Sequence, residues 1–295
     1  MTTAIKRPSA ANQLHVLQVP VLKKIPWLVH GFSTRPGGAT NCYGGKSLNL
    51  GFTKDDSRDN VEKNRQRFLV ALGAANAGKH WPLVGLRQIH SDVIHIVTSP
   101  VPEPLAGDGL ITNSPGIALA VMTADCLPVM VVDRKNSAAG VFHAGWRGTV
   151  QRIVEKGLGI MRREFASTPQ DIDAVIGPGI GGCCYEVGDE LKAKFESQFA
   201  YAGELFHEVF DSNPVREKYP MLFMNARAPG HGDTGPKLHL DLAEANRRQL
   251  LAAGVPENQI TVLGQCTACD SRKFFSHRAE KGKTGRMMAV VGIRP

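Results

Sequence analysis

The sequence predicts an α+β fold with mixed, largely antiparallel sheets. Strand-like apolar runs follow one another with short polar turns between them, such as Arg134-Lys135-Asn136. Strands joined by links that short must be antiparallel neighbours, because a parallel crossover needs about a dozen residues or more. Longer segments with helical periodicity interrupt the strands at three places, and this favours the α+β class over an all-β one.

Each element is predicted from its own pattern. The strands are apolar runs bounded by turn residues, and they cover 28–33, 83–86, 93–98, 109–112, 117–122, 129–133 and 138–142. The helices cover 58–71, 149–164 and 241–253. In the second helix, apolar residues recur at spacings of three and four from Val150 to Met161, and Thr149 is the expected N-cap. A stretch rich in Gly and Pro predicts a surface loop at 225–237.

Length and composition predict one large globular fold. With 42% hydrophobic positions in 295 residues, the chain can bury a substantial core. It shows neither an internal repeat at a fixed period nor a low-complexity segment. We therefore expect a flexible tail at 1–15 and a single domain at 16–295, acting as a monomer or small homo-oligomer.

The charge pattern and the N-terminus restrict the partners. The formal charge is +8, but the basic residues form no long run and no RNP-like aromatic pattern accompanies them, so a nucleic-acid partner is not expected. The N-terminal residues lack the apolar segment of a secretory signal, and no stretch has the length of a membrane span. These features predict a cytoplasmic protein with no membrane partner, whose six cysteines are reduced thiols.

His90, Cys126 and His143 are the candidate metal ligands. Each lies at or just beyond the end of a strand-like run, where a side chain can leave the core. Two imidazoles and a thiolate leave one position of a tetrahedral zinc open, as a catalytic metal requires. Asp125 precedes Cys126 between two apolar runs, where burying its carboxylate without partners would be costly. That cost favours a functional role for the pair.

A predicted hairpin would bring two of these candidates together. The strands 129–133 and 138–142 are joined by a turn, which places Cys126 and His143 on neighbouring strands. Counting outward from a turn centred near Asn136 and Ser137 pairs position 130 with position 143. A small register offset or a bend is then needed for contact.

Two segments are candidates for binding an anion. Arg147 precedes the expected start of a helix, and free N–H groups at a helix N-terminus attract phosphate. Pairing of Arg147 with a surface carboxylate explains its position equally well. The second segment, from Ser33 to Gly38, contains Arg35 and two glycines that would permit close backbone approach.

Beyond the N-terminal tail, nearly the whole chain resembles the YfiH-like laccase-domain family. Its members were first called polyphenol oxidases and later purine nucleoside phosphorylases. The resemblance rests on ordered motifs along the chain: His30-Gly31-Phe32-Ser33-Thr34-Arg35, Ser47-Leu48-Asn49-Leu50-Gly51, Arg87-Gln88-Ile89-His90, Asp108-Gly109-Leu110, Thr123-Ala124-Asp125-Cys126-Leu127-Pro128, His143-Ala144-Gly145-Trp146-Arg147-Gly148, Gly177-Pro178-Gly179-Ile180, and Phe275-Ser276-His277-Arg278.

The resemblance implies both an architecture and an activity. The architecture is a four-layer α/β/β/α sandwich with metal ligands at His90, Cys126 and His143. The activity is phosphorolysis of adenosine, inosine and methylthioadenosine, together with deamination of adenosine. The implied cofactor is zinc, with copper possible, and the partners are purine nucleosides and phosphate. Asp125 would pass protons, while Arg35, Arg147 and Asn49 would bind substrate or phosphate.

Three alternatives stay open. A copper-dependent polyphenol oxidase is disfavoured, because none of the ten histidines lies two positions from another, as the paired imidazoles of a multicopper cluster would. A single copper in a site of two His and one Cys is chemically possible. A metal-free hydrolase or deamidase would use Cys126 as nucleophile and His143 as base. The third alternative is a role as a peptidoglycan editing factor, which this family has also been given.

Overall fold

The computed structural model describes residues 14–76, 79–210 and 236–295. The chain divides into two compact units, of which the larger comprises residues 1–181 and 242–295 and the smaller residues 182–241. The expected flexible tail lies largely outside the described residues, and so does most of the loop predicted at 225–237. The division into a tail and a single domain stays a prediction.

Eighteen strands and six α-helices lie in the described residues. The strands are β1 Val16–Leu17, β2 Leu28–Ser33, β3 Pro36–Thr40, β4 Ala75–Asn76, β5 Lys79–His80, β6 Leu83–Val84, β7 Leu86–Arg87, β8 Ile94–Ile96, β9 Leu105–Ala106, β10 Gly109–Thr112, β11 Ala118–Thr123, β12 Leu127–Asp133, β13 Ala138–Ala144, β14 Ile172–Ile176, β15 Phe206–Val209, β16 Lys237–Leu240, β17 Ile260–Val262 and β18 Met287–Ile293. The helices are α1 Pro20–Lys23, α2 Arg58–Leu72, α3 Trp146–Val150, α4 Ile153–Phe165, α5 Asp189–Glu196 and α6 Leu242–Ala252.

Two sheets form the larger unit. The five-stranded sheet has the order β1-β2-β18-β11-β6, and the six-stranded sheet has the order β17-β14-β12-β13-β10-β8. Most neighbours are antiparallel, whereas the edge strands β6, β8 and β17 pair in parallel. The predicted α+β class with mixed, largely antiparallel sheets is confirmed.

The alternation of side chains along each strand creates two cores. In β11, Leu119 and Val121 belong to a core that also contains Met130 of β12 and Val141 of β13, so this core lies between the sheets. The intervening Ala118 and Ala120 belong to a second core, shared with the buried face of α2. Helices α4 and α6 contact the six-stranded sheet through β13 and β14. Helix α2 thus packs against the five-stranded sheet, and helices α4 and α6 pack against the six-stranded sheet.

The smaller unit contains α5 and the antiparallel pair of strands β15 and β16, in which Phe206 pairs with Leu240. Phe195 of α5 is buried against Phe199 and Phe206, with ring centroids 5.8 and 5.7 Å away. These aromatic contacts give the unit an apolar centre of its own.

The prediction of a single helix at 149–164 is wrong in the first turn. The chain forms two helices there, α3 and α4, because Arg152 between them has a left-handed backbone with φ of 61°. Thr149 is not an N-cap: it lies buried within α3 and its hydroxyl accepts a hydrogen bond from Asn246 Nδ2 at 3.0 Å. Gly145 occupies the cap position of α3.

The predicted hairpin is confirmed, but with a different register. Met130 pairs with Val141, two residues away from the expected partner at 143, and His143 pairs with Pro128. The turn is tighter than expected because the Asp133 carboxylate accepts hydrogen bonds from the backbone N–H groups of Lys135 and Asn136, both at 2.9 Å. This register moves His143 toward the residues that precede β12. The strand predicted at 83–86 is divided at Gly85 into β6 and β7.

None of the helices in the described residues has the length and apolar character needed to cross a membrane.

Candidate metal centre

Three separate segments bring the candidate ligands together. His143 lies in β13, Cys126 directly precedes β12, and His90 lies between β7 and β8. The pairing of Leu127 with Ala144 places the Cys126 end of one strand beside the His143 end of the other. Ligand atoms of the three side chains all lie within 4.8 Å of one another. The expected proximity of the three is confirmed, and their joint binding of a metal stays a prediction.

The three side chains differ in exposure. His143 is buried, Cys126 is partly buried and His90 is exposed. The imidazole rings of His90 and His143 meet edge to face, with centroids 5.0 Å apart and an interplanar angle of 74°. The cluster therefore has a buried side at His143 and a side open to solvent at His90.

Asp108 organises the buried side of this cluster. Its carboxylate is fully buried and lies 2.8 Å from Nδ1 of His143. The same carboxylate accepts hydrogen bonds from the backbone N–H groups of His90, at 3.1 Å, and Ser91, at 2.6 Å. One acidic side chain thus fixes the imidazole of one candidate ligand and the backbone of another.

This contact determines the tautomer of His143. A carboxylate can only accept, so Nδ1 of His143 is the protonated nitrogen. In neutral His143 the lone pair is then on Nε2, the nitrogen that remains to face Cys126 or a metal. A carboxylate that orients a histidine in this way is a common feature of metal sites in proteins.

Charges within the cluster shift its pKa values in a consistent way. Burial alone would raise the pKa of Cys126, but the positive charge of His143 and hydrogen bonds from both histidines lower it to about 6. Burial would lower the pKa of His143, but the Cys126 thiolate and Asp108 raise it to about 9. For Asp108, the effect of burial is outweighed by hydrogen bonds from His143 and Ser91, and its pKa falls to about 2.

The cluster fits a metal in charge and in space. Metal ligation requires a thiolate and a neutral imidazole. The lowered pKa of Cys126 favours the thiolate near neutral pH, and a metal would replace the second proton that the raised pKa of His143 keeps on its ring. Gly145 keeps the surroundings of the sulfur clear, because a Cβ at this position would lie 2.9 Å from Sγ of Cys126 and 3.4 Å from Cδ2 of His90. Two histidines and one cysteine would leave a zinc ion one open position.

Asp125 lies next to the cluster in a strained conformation. Its φ of 95° falls in the left-handed region, which residues other than glycine rarely adopt. Its carboxylate accepts hydrogen bonds from Thr267 Oγ1 at 2.7 Å and from the backbone N–H of Arg278 at 2.6 Å. Asp125 therefore fixes the turn before Cys126 to two later segments of the chain.

The three predicted substrate-binding residues occupy different surroundings. Arg147 is exposed in α3, with its guanidinium stacked 4.4 Å over the ring of Trp146. Arg35 forms an ion pair with Glu280 at 2.9 Å and donates to the carbonyl of Ser271 at 2.7 Å, beside an open cleft of about 630 Å³. Asn49 is fully buried.

Both polar atoms of the Asn49 side chain are occupied within the protein. Its Nδ2 donates to Gly51 O and Asp56 Oδ2, and its Oδ1 accepts from the backbone N–H groups of Gly51 and Arg286. Contact with substrate would require breaking this network. Asn49 therefore helps to position the backbone of Arg286, directly before β18.

The segment from Ser33 to Gly38 does not form the anion loop that the glycines suggested. The backbone N–H of Arg35 donates to Lys273 O at 2.8 Å, and that of Gly37 donates to Lys46 O at 3.2 Å. Gly38 serves close packing, because a Cβ there would lie 2.0 Å from the carbonyl oxygen of Ser47. These backbone donors are satisfied by the chain itself.

Sequence reasoning missed Asp108 and Gly145 as parts of the site. Both lie in motifs that carry the family resemblance, but neither spacing nor residue type ties them to the ligands. Asp108 lies 35 residues before its partner His143. The one available signal was an acidic residue directly before a largely apolar strand, β10, where burial demands a partner.

The features above define an α+β protein with a candidate metal site of two histidines and one cysteine. A family model described as multi-copper polyphenol oxidoreductase laccase matches residues 29–294, and the chain belongs to this family.

Relatives within the family carry a different functional name. Purine nucleoside phosphorylase YlmD of Geobacillus stearothermophilus is 35% identical over 289 residues, which cover 91% of this chain and 94% of the relative. Purine nucleoside phosphorylase YfiH of Escherichia coli is 34% identical, with 88% and 92% covered. A crystal structure of the hypothetical protein YfiH of Bacillus licheniformis aligns with a TM-score of 0.79 at 32% identity and covers 98% of each chain. The resemblance seen in the sequence is confirmed.

Proposed function

We propose that this protein is a metal-dependent purine nucleoside phosphorylase that also deaminates adenosine. Its substrates would be adenosine, inosine or methylthioadenosine, with phosphate as the second reactant. The observation that supports this most directly is the convergence of His90, Cys126 and His143 within 4.8 Å. The names of the relatives support the nucleoside and the phosphorolysis. We further propose a cytoplasmic location and a monomer or small homo-oligomer.

The cofactor we propose is zinc, held by His90, Cys126 and His143. When bound, zinc would supply Lewis acidity at its open position. Asp108 serves this site by keeping the proton of His143 on Nδ1, so that Nε2 remains available as a ligand. Gly145 serves it by leaving the space beside Sγ of Cys126 clear.

Arg147 is our first candidate for binding phosphate. It follows Gly145 by two residues, its side chain is exposed, and a guanidinium can pair with phosphate through two parallel hydrogen bonds. Arg35 is the second candidate, although phosphate would have to replace the carboxylate of Glu280 there. We assign Asp125 mainly to positioning Cys126, because both its carboxylate oxygens already accept hydrogen bonds.

A metal-free hydrolase is the second candidate function. The specific observation in its favour is the chain of contacts from Cys126 through His143 to Asp108, with the thiol pKa lowered to about 6. A nucleophile, a base and an orienting acid in that order can form a covalent intermediate. His90 distinguishes the candidates, since this dyad does not need it.

The test is the substitution His90→Ala, with His95→Ala as the matched control. His95 lies in β8, five residues along the chain, and its Nε2 contacts the carbonyl of Ala106 instead of the cluster. We expect His90→Ala to lose both bound metal and nearly all nucleoside turnover, measured with and without phosphate, while His95→Ala retains both. A fully active His90→Ala protein without metal would refute the metal-dependent function and favour the hydrolase.

The oxidase name of the family leads to a separate expectation. With three ligands and no closely spaced histidine pairs in the sequence, we propose that no trinuclear copper centre forms. Phenol oxidation should then be slow or depend on added copper. An intact multicopper absorption spectrum in the native protein would contradict this.

A further inference from the structure

We propose that a groove along α4 binds a small organic anion, meaning an apolar body that carries a phosphate or carboxylate group. This α4 groove has a volume of about 430 Å³ and lies between one face of the helix, the segment 167–172 and the end of α6. Its size falls in the range of small-molecule sites in proteins. No residue that lines it belongs to the candidate metal centre.

The charges at the groove favour an anion. Arg162 lines it, and this guanidinium has no ion-pair partner within the described ranges. Arg152 lines it as well, and its Nη1 donates to both carboxylate oxygens of Glu155 at 3.0 and 3.1 Å. Two arginines and one glutamate leave an excess of one positive charge. A guanidinium suits an oxyanion better than a neutral group.

The rest of the groove favours an apolar body on the ligand. Leu158 and Ile172 line it, together with Ala252 and Ala253 at the end of α6. The helix face is open at Gly159, where an added Cβ would meet no atom within 4 Å. Inorganic phosphate alone would leave this apolar surface in water, so an aryl or nucleotide-sized anion fits better.

The test uses phenyl phosphate as probe, with inorganic phosphate and phenol as probes of the anionic and apolar parts. Binding is followed by the amide NMR shifts of Ala252 and Ala253 in isotope-labelled protein. We expect saturable binding of phenyl phosphate, and binding of either partial probe at least tenfold weaker. The absence of saturable shifts up to about 10 mM would overturn the proposal.

Matched variants locate the binding. Arg162→Gln should weaken binding at least tenfold, whereas Arg163→Gln should leave it unchanged, because Arg163 pairs with Glu164 and does not line the groove. Gly159→Leu should abolish binding by filling the groove in a helix that tolerates the added side chain. Equal weakening by the two arginine variants, or undiminished binding in Gly159→Leu, would overturn the proposal. None of these readouts depends on the metal centre, so the proposed function can fail separately.

Discussion

The carboxylate of Asp108 lies 2.8 Å from Nδ1 of His143 and also binds the backbone of His90. Two candidate ligands that are far apart in sequence are therefore oriented by one buried side chain. Orientation of this kind lowers the conformational cost of binding a metal, because the ligands are positioned before the metal arrives. The cluster can thus be tested through Asp108 without touching a ligand.

Replacing Asp108 by Asn should weaken metal binding by about tenfold to a hundredfold. The amide keeps the size of the side chain but loses the negative charge and can present its own N–H to Nδ1 of His143. Competition with a chelator measures the affinity. Asp173→Asn is the matched control, because Asp173 is also buried but forms an ion pair with Arg134 at 3.3 Å instead of contacting a candidate ligand. It should leave metal affinity unchanged.

Replacing Gly145 by Ala should displace Cys126 and lower metal affinity by about tenfold or more. The backbone of Gly145 is extended, with φ of −74°, so alanine adopts it readily and the effect is steric. The added Cβ would approach Sγ of Cys126 to 2.9 Å. Gly159→Ala is the control and should raise stability by about 0.5–1 kcal/mol, since it removes a glycine from a helix interior. Equal metal affinity in both variants would contradict this account of the site.

In metal-free protein, alkylation of Cys126 should rise as pH increases through about 6 and then level off. The thiolate is the reactive form, and the neighbouring histidines favour it at low pH. Cys42 is the internal control, because burial raises the pKa of its thiol. Mass spectrometry of the two alkylated peptides gives both pH profiles from the same series of samples. Loading with zinc should suppress the reaction at Cys126 and not at Cys42, and coincident profiles for these two cysteines would contradict the prediction.

His30 should make the fold less stable at low pH. Burial, with a smaller contribution from the charge of Lys23, lowers the pKa of this β2 residue from 6.5 to about 4, and its Nε2 accepts a hydrogen bond from Val19 N–H. Between these pH values the unfolded chain binds a proton that the folded chain does not. Stability is therefore complete above pH 6.5 and falls by about 3 kcal/mol as pH drops toward 4.

The variant His30→Gln isolates this effect. Glutamine can accept the same hydrogen bond but does not titrate, so its unfolding free energy should depend less on pH between 6.5 and 4. Denaturant unfolding of both proteins across that range measures the difference, in which contributions from other groups cancel. Parallel curves for the two proteins would show that His30 has the same pKa in the folded and unfolded states and would contradict this account.

The local parts of the fold were predictable, and the long-range parts were not. Strands β2 and β10 match the predicted bounds, because turn residues flank short, largely apolar segments there. The hairpin was predictable from its short link, but its register was not, because it depends on the Asp133 carboxylate binding the turn. The break at Arg152 between α3 and α4 has no clear signal in the helical pattern.

The site was predictable only where chemistry alone identifies a residue. His90, Cys126 and His143 stand out because their side chains bind metals and end apolar runs. Asn49 and Asp125 were predicted to contact or serve substrate, yet their polar atoms are occupied by partners such as Arg286 and Arg278. Those partners lie more than 150 residues away in sequence, with separations of 237 and 153. Patterns within a short window cannot reveal such bonds.

The backbones of His90 and Asp125 are left-handed, with φ of 55° and 95°, so two functional side chains occupy strained positions. Each such residue costs about 1 kcal/mol or more that glycine would not. At Asp125 the two hydrogen bonds that its carboxylate accepts offset this cost, so the strain is most open to relief at His90. A chain selected for stability alone would carry glycine at position 90 and would lose an imidazole by doing so. The variant His90→Gly is therefore expected to be more stable and less able to hold a metal.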